Sequence, residues 1–276
     1  MTIDSEINPS SSSSSIVNQI LELVIFDFDQ TIIDCNTDTF INQLAPNGRI
    51  PVEFWSKNIV WTDYMQKVFN FLHENGIRHD DYCQCFSHMK FVPGMIELIR
   101  NLHNGLPSNG KKFEMIIISD ANSFAINEIL AQNNLTNCFQ KVFTNPACFD
   151  ENGRLCIEYY HEQNECQLSA KNLCKGHVLE DYIQQRINEN NNNNNNHYYN
   201  RLHYVGDGSN DLCPSLRLSS NDFVYPRSGY KLDHLIREKL EQQQQQQQQS
   251  EQLKARSIPF SHGDDIWNNI LNANRN

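Results

Sequence analysis

Asp27-Phe28-Asp29-Gln30-Thr31 sets two carboxylates two positions apart, directly after the apolar run Leu21-Glu22-Leu23-Val24-Ile25-Phe26. A second acidic turn, Gly206-Asp207-Gly208-Ser209-Asn210-Asp211, follows Leu202-His203-Tyr204-Val205, and Ser119-Asp120 follows the run from Phe113 to Ile118. Lys175 stands between Ser119 and the second acidic turn. Taken singly, each has an ordinary explanation: a D-x-D pair starts a loop or helix, a serine ends a strand, and a lysine before glycine is a solvated charge. Taken in order, they are a set of groups able to attack, to move protons and to bind hard cations. Gathering Asp27, Asp29, Asp207 and Asp211 in one crevice is costly, since like charges about 4 Å apart repel by roughly 4 kcal/mol at an effective dielectric near 20. A cation must offset that repulsion. Mg²⁺ suits the task, because it prefers hard oxygens and bridges carboxylates to phosphate oxygens.

Positioning these groups needs strands that end where they begin. The three apolar runs predict buried, parallel strands, whose carboxyl ends open on a common ligand crevice. Helical spacing separates them, at Gly94 to Leu102, Ser123 to Ala131 and Gly176 to Ile187, and Asp264 to Leu271 predicts a closing helix docked on the core. The expected fold is α/β, a three-layer Rossmann-like core with a parallel sheet. Residues 37–90 are too long for a simple crossover and carry aromatic helical stretches, which predicts an inserted helical cap over a core formed by 20–36 and 91–276. Residues 1–19 are serine-rich and polar and read as a flexible tail. The Asn190 to Asn196 and Gln242 to Gln249 tracts cannot bury apolar surface, so they are expected to leave the core as mobile insertions without chemistry.

The motif set resembles the phosphatases of the haloacid dehalogenase (HAD) superfamily, with all four of its motifs in order. Trp61-Thr62-Asp63-Tyr64-Met65, Ser119-Asp120-Ala121-Asn122-Ser123, Leu173-Cys174-Lys175-Gly176, Tyr204 to Pro214, and Phe223 to Tyr230 are further similar to the phosphoethanolamine/phosphocholine and pyridoxal phosphate phosphatases. This resemblance covers roughly residues 20 to 272. It implies Asp27 as nucleophile, forming an aspartyl-phosphate, and Asp29 as general acid/base. It implies Ser119 and Lys175 as the grip on the phosphoryl oxygens. Mg²⁺ would be held by the Asp27 side chain, the Asp29 backbone carbonyl and the Asp207 side chain, with Asp211 nearby, either as a further ligand or behind the ligands. The positions of Asp38 and Asp120 imply contact with the substrate beyond its phosphate. Acids there would favour a cationic or hydrogen-bond-donating leaving group. The structural alternative is that both cap helices. Trp55, Trp61 and Tyr64 invite an aromatic cage for a quaternary ammonium, but aromatics at helical spacing in a small cap more often form its core.

Composition narrows the classes. A formal charge of −11 and the lack of a basic stretch argue against nucleic-acid or anionic-membrane partners. No apolar run approaches a membrane span, and the first twenty residues lack the basic start and apolar middle of a secretory signal. Nine cysteines without paired C-x-x-C motifs fit reduced thiols in a cytoplasmic protein better than a disulfide framework or structural zinc. The expected activity is hydrolysis of a small phosphorylated metabolite. Its rivals are a phosphotransferase or phosphomutase using the same aspartyl-phosphate, and a noncatalytic phosphate-binding scaffold.

Overall fold

Val24 and Phe26 on one face of the first strand, and Leu23 and Ile25 on the other, are all fully buried, so this segment belongs at the centre of a sheet covered on both sides. The computed structural model bears that out; it describes residues 20–106, 110–191, 199–244 and 252–273. The sheet contains β1 (Leu21–Phe26), β2 (Lys112–Asn122), β3 (Lys141–Asn145), β6 (Arg201–Gly206), β7 (Phe223–Pro226) and β8 (Arg256–Ser257). Their spatial order is β3-β2-β1-β6-β7-β8, and every pairing is parallel. The chain therefore builds outward from β1 in one direction, then restarts beside β1 and builds in the other. A doubly wound sheet of this kind opens a crevice where the direction reverses, between the carboxyl ends of β1 and β6. Asp27 and Asp207 follow those two strands.

Two apolar layers flank the sheet. One packs α4 (Met95–Asn104), α5 (Ser123–Gln132) and α9 (Gly263–Asn272) against it; the other packs α6 (Lys175–Asn191), α7 (Leu212–Leu216) and α8 (Lys231–Gln244). The closing helix docks as expected. Gly263 lies against the backbone of Gly94 so closely that an added Cβ would stand 2.2 Å from the Gly94 carbonyl oxygen, so only glycine lets α9 approach α4 there. The serine-rich tail and most of the asparagine and glutamine tracts lie outside the described residues. The helices before the tracts run into them, α6 to Asn191 and α8 to Gln244.

Between β1 and β2 the chain forms α1 (Thr37–Phe40), a run of short 3₁₀ turns, α2 (Trp61–Glu74) and α3 (His79–Phe86). The apolar stripe of α2 (Met65, Val68, Phe69 and Leu72) is buried, and with Tyr82 and Phe86 it is continuous with the core layer under α5. A β-hairpin that the apolar pattern did not announce, β4 (Ala147–Phe149) with β5 (Leu155–Ile157), joins this insert. Its three-residue strands are too short to carry a periodic signal. The Gln66 amide of α2 holds it, donating to the Leu155 carbonyl at 3.3 Å and accepting from the Ile157 N–H at 2.9 Å.

Candidate active site

Beyond the ends of β1, β2 and β6 lies a cavity of about 200 Å³ whose wall includes Asp27, Asp29, Asp38, Ser119, Asp120 and Asp207. Lys175 and Asp211 lie beneath this wall, fully buried. Lys175 Nζ stands 2.7 Å from Asp27 Oδ1 and 2.7 Å from Asp211 Oδ1. All eight residues singled out by the motifs thus converge on one crevice and its floor.

Asp211 organises that floor. Its Oδ1 accepts from Lys175 and from the Tyr204 hydroxyl at 2.7 Å, and its Oδ2 accepts from the backbone N–H groups of Asp207 at 3.0 Å and Gly208 at 2.8 Å. A carboxylate with four donors is a fixed strut, holding both the lysine and the acidic turn. Gly206 makes room for it, since a Cβ there would lie 2.6 Å from the Asp211 carboxylate. Ser119 and Asp120 sit where the β2–β3 register shifts, between Ile118 and Asn122. The Ser119 hydroxyl oxygen accepts from the Ala121 N–H at 3.2 Å.

Asp29 accepts from the Thr37 N–H and hydroxyl, each at 3.0 Å, and from the Asn36 amide at 3.1 Å. The next residue, Gln30, adopts φ 55°, an unfavourable conformation for a side chain other than glycine. Arg227 braces it, donating to the Gln30 carbonyl at 2.7 Å and pairing with Asp34. Neither capping alternative holds: Asn36 caps α1 and Asn122 caps α5, each through its side-chain oxygen. Instead Asp38 Oδ2 accepts from the Trp61 indole at 2.6 Å, and Asp120 accepts from Asn210 and Asn172. Asp38 Oδ1 is buried without a hydrogen-bond partner of good geometry, and burial raises the Asp38 carboxyl to about 6, with the Trp61 indole and the nearby Asn122 amide opposing the rise. The aromatic trio is only partly core. Trp61 and Tyr64 pack against it, but Trp55 is 53% exposed and Trp61 also lines the cavity.

Asn36, Thr37, Asn172, Asn210 and Arg227 escaped sequence reasoning as site residues, whereas Trp61, weighed there for an aromatic cage, lines the cavity and donates to Asp38. Arg227 falls within a motif segment, but its target, the strained Gln30, is 197 positions away. Asn210 stood inside a motif already quoted. The others carry no local signal.

The electrostatics call for a cation. Burial raises Asp27 to about 6, the Asp211 carboxylate adding to the rise while Lys175 opposes it. Burial and the Asp27 and Asp211 carboxylates raise Asp207 to about 8. Burial and Asp38 push Asp29 well above the ordinary carboxyl range. Lys175, although burial disfavours its charge, is held above its ordinary value by Asp211 and Asp27. Oxygens of Asp27, Asp207 and Asp211 lie within 4.8 Å of one another, an all-oxygen donor set that fits Mg²⁺ and not a soft ion.

The sign of the resulting pH dependence follows. Asp27 and Asp207 bind protons more tightly folded than unfolded, so the metal-free protein loses stability as pH rises from about 4 through 8. Chemical denaturation in EDTA across that range should show the decline, and saturating Mg²⁺ should flatten it. A rising curve in EDTA would contradict this account.

A family model described as "Putative Phosphatase" matches residues 22–273. The chain belongs to this phosphatase family. As a phosphatase it has curated relatives across most of its length. It is 37% identical over 250 residues to the pyridoxal phosphate phosphatase of Homo sapiens, covering 90% of this chain and 96% of that one. It is 42% identical over 212 residues to the Bos taurus counterpart, covering 76% and 83%. It is 32% identical over 246 residues to the phosphoethanolamine/phosphocholine phosphatase of Homo sapiens, covering 88% and 86%. Among solved structures, a phosphoserine phosphohydrolase-like protein from Francisella tularensis matches with a TM-score of 0.53 at 14% identity, covering 90% of the phosphatase and 99% of that chain. That likeness concerns the fold, and it agrees with the α/β core expected from the motifs.

Proposed function

We propose that the phosphatase hydrolyses small phosphomonoesters with a cationic or donor-rich leaving group, pyridoxal phosphate foremost and phosphoethanolamine or phosphocholine next, through an aspartyl-phosphate on Asp27. The observation that carries the reading is the buried Asp27–Lys175–Asp211 arrangement facing Asp207 in a cavity whose outer wall is acidic. Asp27 attacks phosphorus, and the bond to the leaving oxygen breaks. Asp29, whose hold on a proton is strengthened by burial and by the nearby Asp38 carboxylate, gives a proton to that oxygen. Water then attacks the aspartyl-phosphate, Asp29 takes up its proton, and the bond between phosphorus and Asp27 breaks. Lys175 and Ser119 hold the phosphoryl oxygens through both steps. Asp27, Asp207 and the Asp29 carbonyl would hold Mg²⁺, which would supply charge to neutralise the phosphoryl oxygens. Enclosure under α1 and α2 limits access of bulk water.

Support for the leaving-group class comes from Asp38. Its Oδ1 has no hydrogen bond of good geometry, whereas both oxygens of Asp120 are occupied by asparagine amides. Asp38 therefore has the freer acceptor, beside the oxygen that takes the Trp61 indole N–H. Replacing Asp38 by Asn is expected to raise KM for amine-bearing substrates by about 1.5 to 3 kcal/mol, the worth of a charge-assisted hydrogen bond, while sparing p-nitrophenyl phosphate. Equal losses on both substrates would remove Asp38 from leaving-group recognition.

The deciding experiment is a phosphate-release screen over pyridoxal phosphate, phosphoethanolamine, phosphocholine, pyrophosphate and p-nitrophenyl phosphate. EDTA should silence it and Mg²⁺ restore it. Phosphate transferred to an added sugar in preference to water would favour the phosphotransferase reading, and release from none would favour the scaffold.

A further inference from the structure

Cys166, Cys174 and Cys213 come from three separate stretches of chain, yet their sulfur atoms all lie within 4.8 Å of one another. Cys213 Sγ stands 3.4 Å from Cys166 Sγ and 3.8 Å from Cys174 Sγ. No disulfide joins them. Three sulfurs around one zinc-like ion at 2.3 Å each would be separated by about 3.8 Å in a tetrahedral arrangement, so the spacing already matches that of ligands around a single ion. Cys174 and Cys213 are buried and Cys166 is partly exposed. A cavity of about 650 Å³ reaches the cluster from solvent, with Cys166, Cys213, His177, Glu180 and Arg217 in its wall.

We infer that Cys166, Cys174 and Cys213 form a second metal site, separate from the acidic one, for a thiophilic divalent cation of the Zn²⁺ class. Three thiols converge, whereas a disulfide uses only two. The thiolates are soft donors and select such an ion over Mg²⁺. Three thiolates and a divalent ion leave one negative charge, and the Arg217 side chain stands beside them: a Cβ on Gly176 would meet both Arg217 Nε, at 2.3 Å, and Cys213 Sγ, at 2.6 Å. His161 is not spare, because its Nε2 accepts from the Cys174 N–H at 2.9 Å. The fourth position faces the cavity, so the ion exchanges with solvent, as in sites with three protein ligands and water. Cys174 immediately precedes Lys175, and Cys213 follows Asp211 by two residues. The ion would tie together the two segments that deliver the buried lysine and its strut.

The test uses the full-length protein, reduced and stripped with EDTA, in excess Mg²⁺ to fill the oxygen site. Titration with Co²⁺ should produce a thiolate-to-cobalt charge-transfer absorption that saturates at one equivalent and is displaced by Zn²⁺. Cys166→Ser, at the partly exposed position, and Cys213→Ser should each weaken Co²⁺ binding at least tenfold. Cys148→Ser, at an exposed position elsewhere, should not change it. Asp27→Asn should leave the band intact, so failure of the phosphatase mechanism and failure of this site are read separately. Absence of the band in the wild type would overturn the site, as would a band indifferent to Cys166→Ser and Cys213→Ser. A Cys166–Cys213 disulfide in protein purified without reductant, with no metal uptake after reduction, would overturn it in favour of a redox pair.

Discussion

Asp27→Asn is expected to lower kcat by about 10⁴-fold or more while leaving the protein folded, because an amide cannot attack phosphorus to make the acyl-phosphate. The electrostatics add a second expectation. Burial holds Asp27 at about 6, so above that pH its ionised form is kept against a solvation penalty. Asn removes the penalty and the repulsion from Asp211, while Lys175 keeps Asp211 as a partner at 2.7 Å. In EDTA at pH 8 the variant should therefore be no less stable than the wild type. Phosphate-release assays and urea denaturation on the same preparation check both parts. Turnover near the wild-type rate would remove Asp27 as nucleophile. A collapse in stability with the activity would show that the residue is chiefly structural.

Lys175→Met should lose both stability and activity. The ammonium is fully buried between two carboxylates, and removing one member of such an arrangement leaves uncompensated charge, typically at a cost of about 3–5 kcal/mol. Methionine nearly fills the volume, so the loss would report charge and not a cavity. Activity should fall even under conditions where the variant is folded, since the phosphoryl oxygens lose their cation. Lowering pH should partly restore stability, because protonation of Asp27 and Asp207 relieves the repulsion that the lysine no longer offsets. Urea midpoints for wild type and variant between pH 5 and 8 measure this. A difference that stays constant over that range would exclude the electrostatic explanation.

Strand β1, strand β6 and the acidic turns after them were legible in the sequence because each information-bearing feature is local. An unbroken apolar run requires burial on both faces, and the polar residues that end it must emerge at the sheet's carboxyl edge. The order Asp27, Ser119, Lys175, Asp207 could be read for the same reason. Helices α4, α5, α6 and α9 declared themselves by their apolar spacing, with ends displaced by a few residues. The β4–β5 hairpin did not, because three residues are too few for a period and its hold on Gln66 spans about 90 positions.

What only the tertiary structure decided is which side chains meet. The sequence left Asp211 as a ligand or a neighbour; the fold surrounds it with Lys175, Tyr204 and two backbone N–H groups and makes it a strut. Asp38 and Asp120 looked equivalent as acids near a phosphate, yet asparagines from distant segments occupy both oxygens of one and leave an oxygen of the other without a hydrogen bond of good geometry. The nine cysteines showed no spacing that marks a metal site, and three of them nonetheless converge across the α6–α7 junction. Covalent neighbours and periodic burial are written along the chain and can be read there. Partners separated by tens or hundreds of residues are chosen by packing, and their pairing exists only once the sheet and its two helical layers have closed around them.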